Sequence, residues 1–393
     1  MSNGILLAAC ELSFAVELVE LSVSLGTKLL RQLSELRGLS GPFESFARGT
    51  QQGARSPLVE SAAFGTNPGN LRMFSFVPDA LKSSRALVVM LHGCGQNAAG
   101  YDLGTGWSTL AKQYGFALLM PEQQSSNNAN RCFNWFNPHD SKRGAGEACS
   151  IRQMIARMEN DHNIDSHRIF VTGLSAGGAM TSVMLASYPE VFAAGAIIAG
   201  LPYGVAADPR EAMKGMLRSA ARPGSELGDL VRNAAGHHGP WPRVSVWHGG
   251  ADRMVDPANA DEIVKQWLDV HQLPSAPMAK DTVDGYPHQI WWNADGETVI
   301  ESYTITNMGH GIPLGHAEND ERYGMQGTFL IEAGISSSYH IAKFFGLTKW
   351  VRAFQKVSDH PAMKSPSRSQ RKRRSIDIGA VISRVLTALG FKD

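Results

Sequence analysis

The chain has 393 residues, of which 43% are hydrophobic and 19% charged, and its formal net charge is +1. This length accommodates one large α/β domain with extensions or two ordinary domains, and the near-neutral charge gives no overall reason to expect nucleic-acid binding. No uninterrupted apolar run reaches the roughly 18 residues of a bilayer-spanning helix. The 4 cysteines are too few for a disulfide scaffold and match no zinc motif, so no metal is expected.

Residues 1–37 are predicted to contain an amphipathic helix. Apolar residues recur there at mostly helical spacing, with acidic residues early and basic residues late, which suits the helix dipole. This helix is expected to pack on the protein or on a partner chain, and binding at a membrane surface is the alternative. Residues 38–65 are rich in Gly, Ser, Pro and Gln and are predicted to form a flexible linker.

Residues 66–346 alternate apolar runs with helical windows and are predicted to form the main domain. Six runs indicate strands, at 71–77, 86–91, 115–120, 168–172, 191–199 and 244–247. Helical windows lie between them, at 106–114, 150–162, 176–188 and 257–270. Continuous apolar strands alternating with helices predict an α/β fold, with a mostly parallel sheet covered on both faces. The dipeptide Asp295-Gly296 predicts a late antiparallel hairpin.

Residues 347–393 are predicted to form a basic tail with a short amphipathic helix. The basic segment spans 361–375, and apolar residues at helical spacing follow in 376–391. A basic segment beside such a helix suits contact with an anionic membrane surface or a hydrophobic granule. A solvated tail or a helix that binds a partner chain is the alternative.

A nucleophile elbow is indicated at residues 173–177. The pentapeptide Gly173-Leu174-Ser175-Ala176-Gly177 follows a β-branched and aromatic run and precedes a helical window. Small residues two before and two after the serine allow a turn so sharp that the hydroxyl projects from the end of the sheet. A flexible glycine turn is the alternative for the bare motif, but its flanks favour the elbow. Ser175 is therefore the predicted nucleophile.

The order of residues along the chain selects an acid and a base for this serine. In α/β-hydrolases the acid and then the histidine follow the serine. Asp252 comes soon after the strand run 244–247, and its rival Asp256 precedes a proline and resembles a helix N-cap. We therefore predict Asp252 as the acid.

The predicted base is His310, in a glycine-flanked loop after the last strand pair. Its rivals are His316, close by, and His237 and His238, which precede the acid. Only His310 combines the end of a strand, flanking glycines and the required order.

Two backbone N–H groups are predicted to form an oxyanion hole. An ester hydrolase needs such donors already pointing at the oxygen that becomes charged. Ala176, directly after the nucleophile, supplies one, and Cys94, in the loop after the early strand run 86–91, supplies the other through its amide. The Cys94 thiol is either free and buried or paired with Cys132, and the sequence leaves both states open.

Further blocks surround these residues in the sequence. They are Leu-His-Gly-Cys-Gly-Gln at 91–96, the stretches 121–124 and 130–136, the stretch 150–154, and the extended elbow 173–180. Together they resemble the esterase family of poly(3-hydroxybutyrate) depolymerases, from about residue 64 to residue 345, and they are also similar to feruloyl and acetylxylan esterases.

The resemblance implies an α/β-hydrolase fold, no metal or other cofactor, and hydrolysis of carboxylic esters through an acyl-enzyme. It implies Ser175 as nucleophile, Asp252 as acid and His310 as base, in agreement with the chain order. The expected substrate is poly(3-hydroxybutyrate) or its oligomers. Feruloyl, acetylxylan or small soluble esters are alternatives, as is a peptidase of the same fold. The alternative from a different functional class is a binding protein that has the hydrolase fold but no catalytic activity.

Two expectations remain. Trp135, in an asparagine-rich loop, is a candidate wall of the acyl site, since an indole offers rigid apolar surface, and a core tryptophan is the alternative. The resemblance implies an extracellular protein, whereas glutamates interrupt the N-terminal apolar patches, which is untypical of a secretory signal and favours the cytoplasm.

Overall fold

A computed structural model of the chain describes residues 55–78 and 85–348. The predicted N-terminal helix (1–37), residues 38–54 of the predicted linker and nearly all of the predicted basic tail (347–393) lie outside the described residues. The described end of the predicted linker contains a short strand, which pairs with the first predicted strand. That strand is held by hydrogen bonds to the edge of the sheet and has no apolar periodicity. Its sequence therefore gives no strand signal and has the composition of a linker.

The described strands form one large sheet and one small one. The strands are β1 (Val59–Ser61), β2 (Arg72–Phe76), β3 (Arg85–Leu91), β4 (Ala117–Glu122), β5 (Ile164–Leu174), β6 (Ala194–Ile198), β7 (Arg243–Gly249), β8 (Ala279–Val283), β9 (Tyr286–Trp292), β10 (Thr298–Ile305), β11 (Ile312–Leu314) and β12 (Leu330–Glu332). The helices are α1 (Ala98–Thr105), α2 (Trp107–Tyr114), α3 (Pro138–Ser141), α4 (Gly146–His162), α5 (Ala176–Ser187), α6 (Pro209–Leu217), α7 (Gly224–Ala235), α8 (Ala258–Val270) and α9 (Ser337–Phe344).

The large sheet has ten strands in the order β1-β2-β4-β3-β5-β6-β7-β10-β9-β8. The central strands from β4 to β10 are parallel, and antiparallel pairs close both sides. Parallel strands need crossover connections, and the intervening helices supply them. The predicted mostly parallel sheet is confirmed, and so is the antiparallel hairpin, which β9 and β10 form.

Helices cover both faces of the sheet. Alternate residues of β3 belong to two different buried clusters, because successive side chains of a strand point to opposite faces. One cluster includes the apolar stripes of α4, α5 and α8, and the other includes those of α1, α2 and α9. The predicted α/β-hydrolase architecture is confirmed in this respect. Among the described residues, no helix combines the length and the apolar character needed to cross a membrane.

The carboxyl ends of the central strands meet at one edge of the sheet. Leu174 at the end of β5 pairs with Ile198 of β6, which in turn pairs with Trp247 of β7. Trp247 pairs with Tyr303 of β10 on its other side. Loops that follow these four strands therefore lie side by side, and three of them carry the predicted nucleophile, acid and base.

Candidate active site

Ser175 occupies a strained turn between β5 and α5. Its backbone angles are φ 57° and ψ −117°, a conformation that a residue with a side chain rarely adopts. Such strain costs on the order of 1–3 kcal/mol and persists only where surrounding structure holds it. The Ser175 amide donates to the Ile198 carbonyl at 2.9 Å, which ties the turn to the neighbouring strand. This is the backbone geometry of a nucleophile elbow.

The flanking glycines allow the backbone to pack closely around this turn. A Cβ atom at Gly173 would collide with the carbonyl oxygen of Gly177, and one at Gly177 would collide with that of Leu91. Both obstacles are backbone atoms, which cannot move aside as a flexible side chain does. The two glycines of the motif are thus explained by close contacts within the described fold.

Asp252 and His310 form a hydrogen-bonded pair. Asp252 lies in the turn after β7, where its amide donates to the Gly249 carbonyl at 3.1 Å. The His310 Nδ1 atom lies 2.7 Å from Asp252 Oδ2, and both side chains are buried. Since a carboxylate only accepts, Nδ1 carries the proton and Nε2 of a neutral ring is left as the basic nitrogen.

The Asp252 carboxylate receives further N–H groups. Its Oδ1 atom accepts from the amides of Met254 at 2.8 Å and Val255 at 3.0 Å. His248 Nε2 lies 3.2 Å from the same Oδ2 atom that His310 contacts. Burial would raise the pKa of Asp252, but donation from His248, His310 and Val255 holds that pKa below its ordinary value. The carboxylate is therefore anionic at neutral pH.

The rival residues have other partners. Asp256 accepts from the amides of Ala258 and Ser219, each at 3.0 Å, which places it as a cap near the start of α8. His316 lies 3.2 Å from the Asp320 carbonyl, and His237 lies 2.9 Å from the Pro240 carbonyl. Within the described residues, none of these three side chains contacts the Asp252–His310 pair.

The Ser175 hydroxyl makes no hydrogen bond to any described residue, His310 included. The structure thus forms the contact between the predicted acid and the predicted base, but not the contact between the predicted base and the predicted nucleophile. Catalytic hydrogen bonds are often long or absent without substrate and tighten when it binds. The Ser175 and His310 residues are 9% and 8% exposed, so both sit at the buried edge of the sheet.

The amides of Cys94 and Ala176 are available as donors. Neither amide N–H donates a hydrogen bond to any residue within 55–78 and 85–348. The loop that carries Cys94 is held in place, since Gly93 donates its amide to Gln96 Oε1 at 2.8 Å and Gly95 donates to the Asn130 carbonyl at 2.7 Å. Open amides on a fixed loop fit a preorganised oxyanion hole.

Cys94 and Cys132 form a disulfide, with their Cα atoms 4.3 Å apart. The bond joins the loop after β3 to the loop 123–137, next to the hydrogen bond between Gly95 and Asn130. This answers the question that the sequence leaves open about the Cys94 thiol. Cys149 is free.

Two buried titratable residues support these loops. His92 donates from Nδ1 to the Gly93 carbonyl at 2.8 Å and accepts the Gln123 amide at Nε2, while burial lowers its pKa to about 4. Glu147 accepts from the Gln123 side chain and from the backbone and side chain of Asn134. Burial nevertheless raises the pKa of Glu147 to about 8. Both residues fix the position of the loop that carries Cys132.

Trp135 is 7% exposed and belongs to the core cluster on its face of the sheet. Its ring packs edge-on against Phe136 at a centroid distance of 5.6 Å. This burial favours the core alternative, and contact with substrate stays a prediction.

Sequence reasoning missed His248, Glu147 and Phe329 as neighbours of the site. Phe329 packs edge-on against the His310 ring, at a centroid distance of 5.6 Å. His248 has a signal in the sequence, since it stands four residues before the predicted acid. Glu147 and Phe329 have none, because their partners lie far away along the chain. Among the described residues, no group of three or more His, Cys, Asp or Glu side chains is arranged to hold a metal.

Comparison with known proteins decides the family. The sequence model of the family "Esterase PHB depolymerase" matches residues 73–284. Poly(3-hydroxyalkanoate) depolymerase C of Paucimonas lemoignei is 45% identical over 291 residues, which are 74% of this chain and 70% of that protein. The chain belongs to the esterase PHB depolymerase family.

Other proteins that are similar to this esterase are also named as esterases. Feruloyl esterase B of Thermothelomyces thermophilus is 36% identical over 278 residues, 68% of this esterase and 93% of that protein. The solved structure of an acetyl xylan esterase from Aspergillus awamori superposes with a TM-score of 0.62 at 25% identity, covering 74% of this esterase and 99% of that chain. The protein is a serine carboxylic-ester hydrolase with the α/β-hydrolase fold.

Proposed function

We propose that this esterase hydrolyses poly(3-hydroxyalkanoate) esters, with Ser175, His310 and Asp252 as its catalytic triad. The observation that supports this substrate is the 45% identity to a poly(3-hydroxyalkanoate) depolymerase across 74% of the chain. The observations that support the triad are the strained Ser175 backbone and the 2.7 Å contact between Asp252 and His310.

The reaction begins when Ser175 Oγ attacks the ester carbonyl carbon and its proton passes to His310 Nε2. Asp252 holds the ring through Nδ1 and stabilises the imidazolium that forms. The carbonyl oxygen becomes an oxyanion, which accepts hydrogen bonds from the amides of Cys94 and Ala176. The carbon–oxygen bond to the alcohol then breaks, the alcohol takes the proton from His310, and an acyl-Ser175 ester remains.

Water completes the cycle by the same steps. His310 takes a proton from the water as its oxygen attacks the acyl carbon, and it returns the proton to Ser175 Oγ when the acyl bond breaks. The products are a carboxylic acid and an alcohol. For a hydroxyalkanoate polymer, these are the acid end and the hydroxyl end of two shorter chains.

An extracellular location is part of the proposal. The Cys94–Cys132 disulfide supports it, because structural disulfides persist mainly in oxidising compartments.

A feruloyl or acetylxylan type of esterase is the second candidate. It is favoured by the 36% identity to feruloyl esterase B and by the TM-score of 0.62 to an acetyl xylan esterase. The relatives of both types each cover 68% or more of the chain, so the fold does not separate the two substrate classes.

The test is a comparison of purified protein on hydroxybutyrate oligomers, amorphous polymer granules, feruloylated sugars, acetylated xylan and short aryl esters. We expect the highest kcat/KM on the oligomers and release of hydroxy acid from the granules. A higher kcat/KM on the feruloyl or acetyl substrates would contradict the polymer proposal and support the feruloyl or acetylxylan type of esterase. Ser175→Ala is the control, and it should neither hydrolyse any ester nor react with a fluorophosphonate.

A further inference from the structure

A second histidine contacts the carboxylate that orients His310. His248 Nε2 lies 3.2 Å from Asp252 Oδ2 and 3.0 Å from the carbonyl oxygen of Val255. Asp252 Oδ2 therefore has two imidazole neighbours, His310 and His248. The His248 side chain is 3% exposed, and the Asp252 side chain is fully buried.

The neighbours of His248 determine which of its nitrogens carries the proton. Asp252 Oδ2 and the Val255 carbonyl both accept only, so Nε2 must be the donor. His248 Nδ1 is buried and has no partner among the described residues. A proton on Nδ1 would leave a buried donor unpaired, which is costly. Nε2 therefore carries a proton and shares one N–H between two acceptors.

The fold holds His248 rigidly. The residue lies in β7 at the centre of the sheet, paired with Thr304 of β10 on one side, and its strand pairs with β6 on the other. His310, in contrast, lies in a loop after β10. The charged or titratable groups that face the His248 ring are Asp252 in the turn after β7, His310 beyond it, and Asp261 on α8.

The contact fixes the orientation of the carboxylate. Rotation of an aspartate carboxylate about χ2 is broad when nothing restrains it. The amides of Met254 and Val255 hold Oδ1, and His248 is the side chain that holds Oδ2 from the strand side. The remaining lone pair of Oδ2 then faces His310 Nδ1. Donation by His248 also withdraws charge from the carboxylate and weakens its hold on a proton at His310.

We propose that His248 is a positioning residue for the charge relay, which fixes Asp252 Oδ2 through its Nε2–H group and so sets the orientation and basicity of His310. This proposal rests on the proposed roles of Asp252 and His310. It goes beyond them because His248 touches neither substrate nor the nucleophile.

His248→Phe tests the role, since it keeps a planar ring and removes the donor. We expect kcat for a soluble aryl ester to fall roughly tenfold, the effect of losing one charge-assisted hydrogen bond. We expect KM to stay within twofold, because no substrate contact is lost. The acid limb of the pH profile of kcat/KM should move to higher pH, because a more basic carboxylate makes His310 hold its proton more strongly.

His248→Gln is the conservative variant, because its amide nitrogen reaches the position of Nε2 and can donate. We expect it to recover most of kcat and to return the acid limb to its wild-type position. A glutamine variant as slow as the phenylalanine variant would overturn the proposal, since the N–H group would then not matter.

His271→Phe is the matched control for stability. His271 Nε2 lies 3.1 Å from the Pro242 carbonyl oxygen, so its removal also deletes a histidine–carbonyl bond, but one that involves no residue of the proposed triad. We expect both phenylalanine variants to lower the unfolding midpoint, and only His248→Phe to change kcat and the pH profile. Equal kinetics in the two variants would contradict the proposal. If His248→Phe does not fold, His248→Met removes the same donor with a flexible side chain.

Failure of this proposal is distinguishable from failure of the proposed function. Activity of Ser175→Ala at the wild-type level would refute the triad itself. Loss of activity in Ser175→Ala and Asp252→Asn, together with wild-type kinetics in His248→Phe, would refute only the role of His248.

Discussion

His310 Nδ1 and Asp252 Oδ2 are joined at 2.7 Å although the two residues are 58 positions apart in the sequence. The cause is that β10 pairs in parallel with β7, with Ile305 opposite Gly249 at the ends of the two strands. Backbone bonds from Gly250 to Ile305 and from Ala251 to Met308, each 2.9 Å, then fasten the two following loops together. The sheet thus places the proposed acid and the proposed base in hydrogen-bond contact.

Asp252→Asn should lower kcat about 10³–10⁴-fold, with the fold intact. An asparagine amide can donate to His310 Nδ1, which would place the ring proton on Nε2 and remove the base that Ser175 needs. Steady-state kinetics on an aryl ester measure the loss. Asp256→Asn is the matched control and should keep wild-type kcat, because the Asp256 carboxylate accepts from the Ala258 and Ser219 amides and makes no hydrogen bond to His310 among the described residues. An equal loss of kcat in both variants would contradict the assignment of Asp252 as the acid.

The centre of the fold was predictable from the sequence because its strands are continuous apolar runs. The runs 86–91, 168–172 and 244–247 lie in β3, β5 and β7, whose buried residues face helices on both sides. Strand β8 was missed because its residues Ala279–Val283 are mostly exposed and polar, so no period marks them. Helices α6 and α7 were also missed, since few of their residues are buried.

The candidate site was predictable where chemistry imposes a local motif. Ser175 stands between glycines that the close backbone packing requires, and Asp252 and His310 follow strands in a fixed order. Glu147 was not predictable, because its partners Gln123 and Asn134 come from a loop that only the folded chain brings to α4. Local patterns identify reacting groups, whereas the residues that hold them depend on contacts between distant segments.

Opening the Cys94–Cys132 bond should destabilise the protein and slow the reaction. The bond spans 38 residues, and losing such a cross-link costs about 3–4 kcal/mol of unfolding free energy. The double variant Cys94→Ala, Cys132→Ala retains the amide at position 94 but frees the loop that presents it. We expect kcat to fall about tenfold, by the partial loss of one oxyanion donor.

Urea unfolding and aryl-ester kinetics measure these two effects. Cys149→Ala is the matched control, since Cys149 is free, and it should change neither quantity appreciably. Wild-type kcat in the double variant would show that the disulfide stabilises the fold without positioning the oxyanion loop.

Trp135→Ala should lower the unfolding free energy by about 3–5 kcal/mol, as expected when a large buried aromatic side chain is deleted. Trp135→Phe should cost less, because a ring continues to fill the site. If Trp135 only fills the core, KM for hydroxybutyrate oligomers is unchanged in the phenylalanine variant. A several-fold rise in KM with little loss of stability would instead support the predicted contact with substrate.

His288 should make stability depend on pH. Its Nδ1 lies 2.8 Å from Asp281 Oδ1 and its Nε2 lies 3.3 Å from Glu301 Oε2, so both nitrogens face carboxylates. Burial lowers the pKa of His288, but Glu301 and Asp281 together raise it above its ordinary value. The stabilisation is therefore fully present below about pH 6.5, the ordinary pKa of an unfolded histidine, and is lost as pH rises through the folded value.

His288→Gln measures this contribution, because glutamine has one amide nitrogen and no titration. Urea unfolding of the wild type and of His288→Gln is measured from about pH 5.5 to about pH 8.5. The difference in unfolding free energy between the two proteins should shrink as pH rises. His271→Gln is the contrasting variant, since His271 faces the Pro242 carbonyl and burial lowers its pKa. The difference in unfolding free energy for His271→Gln should therefore grow as pH rises, opposite to that for His288→Gln. A pH-independent difference for His288→Gln would mean that the His288 ring is neutral and forms no ion pair with Asp281 or Glu301.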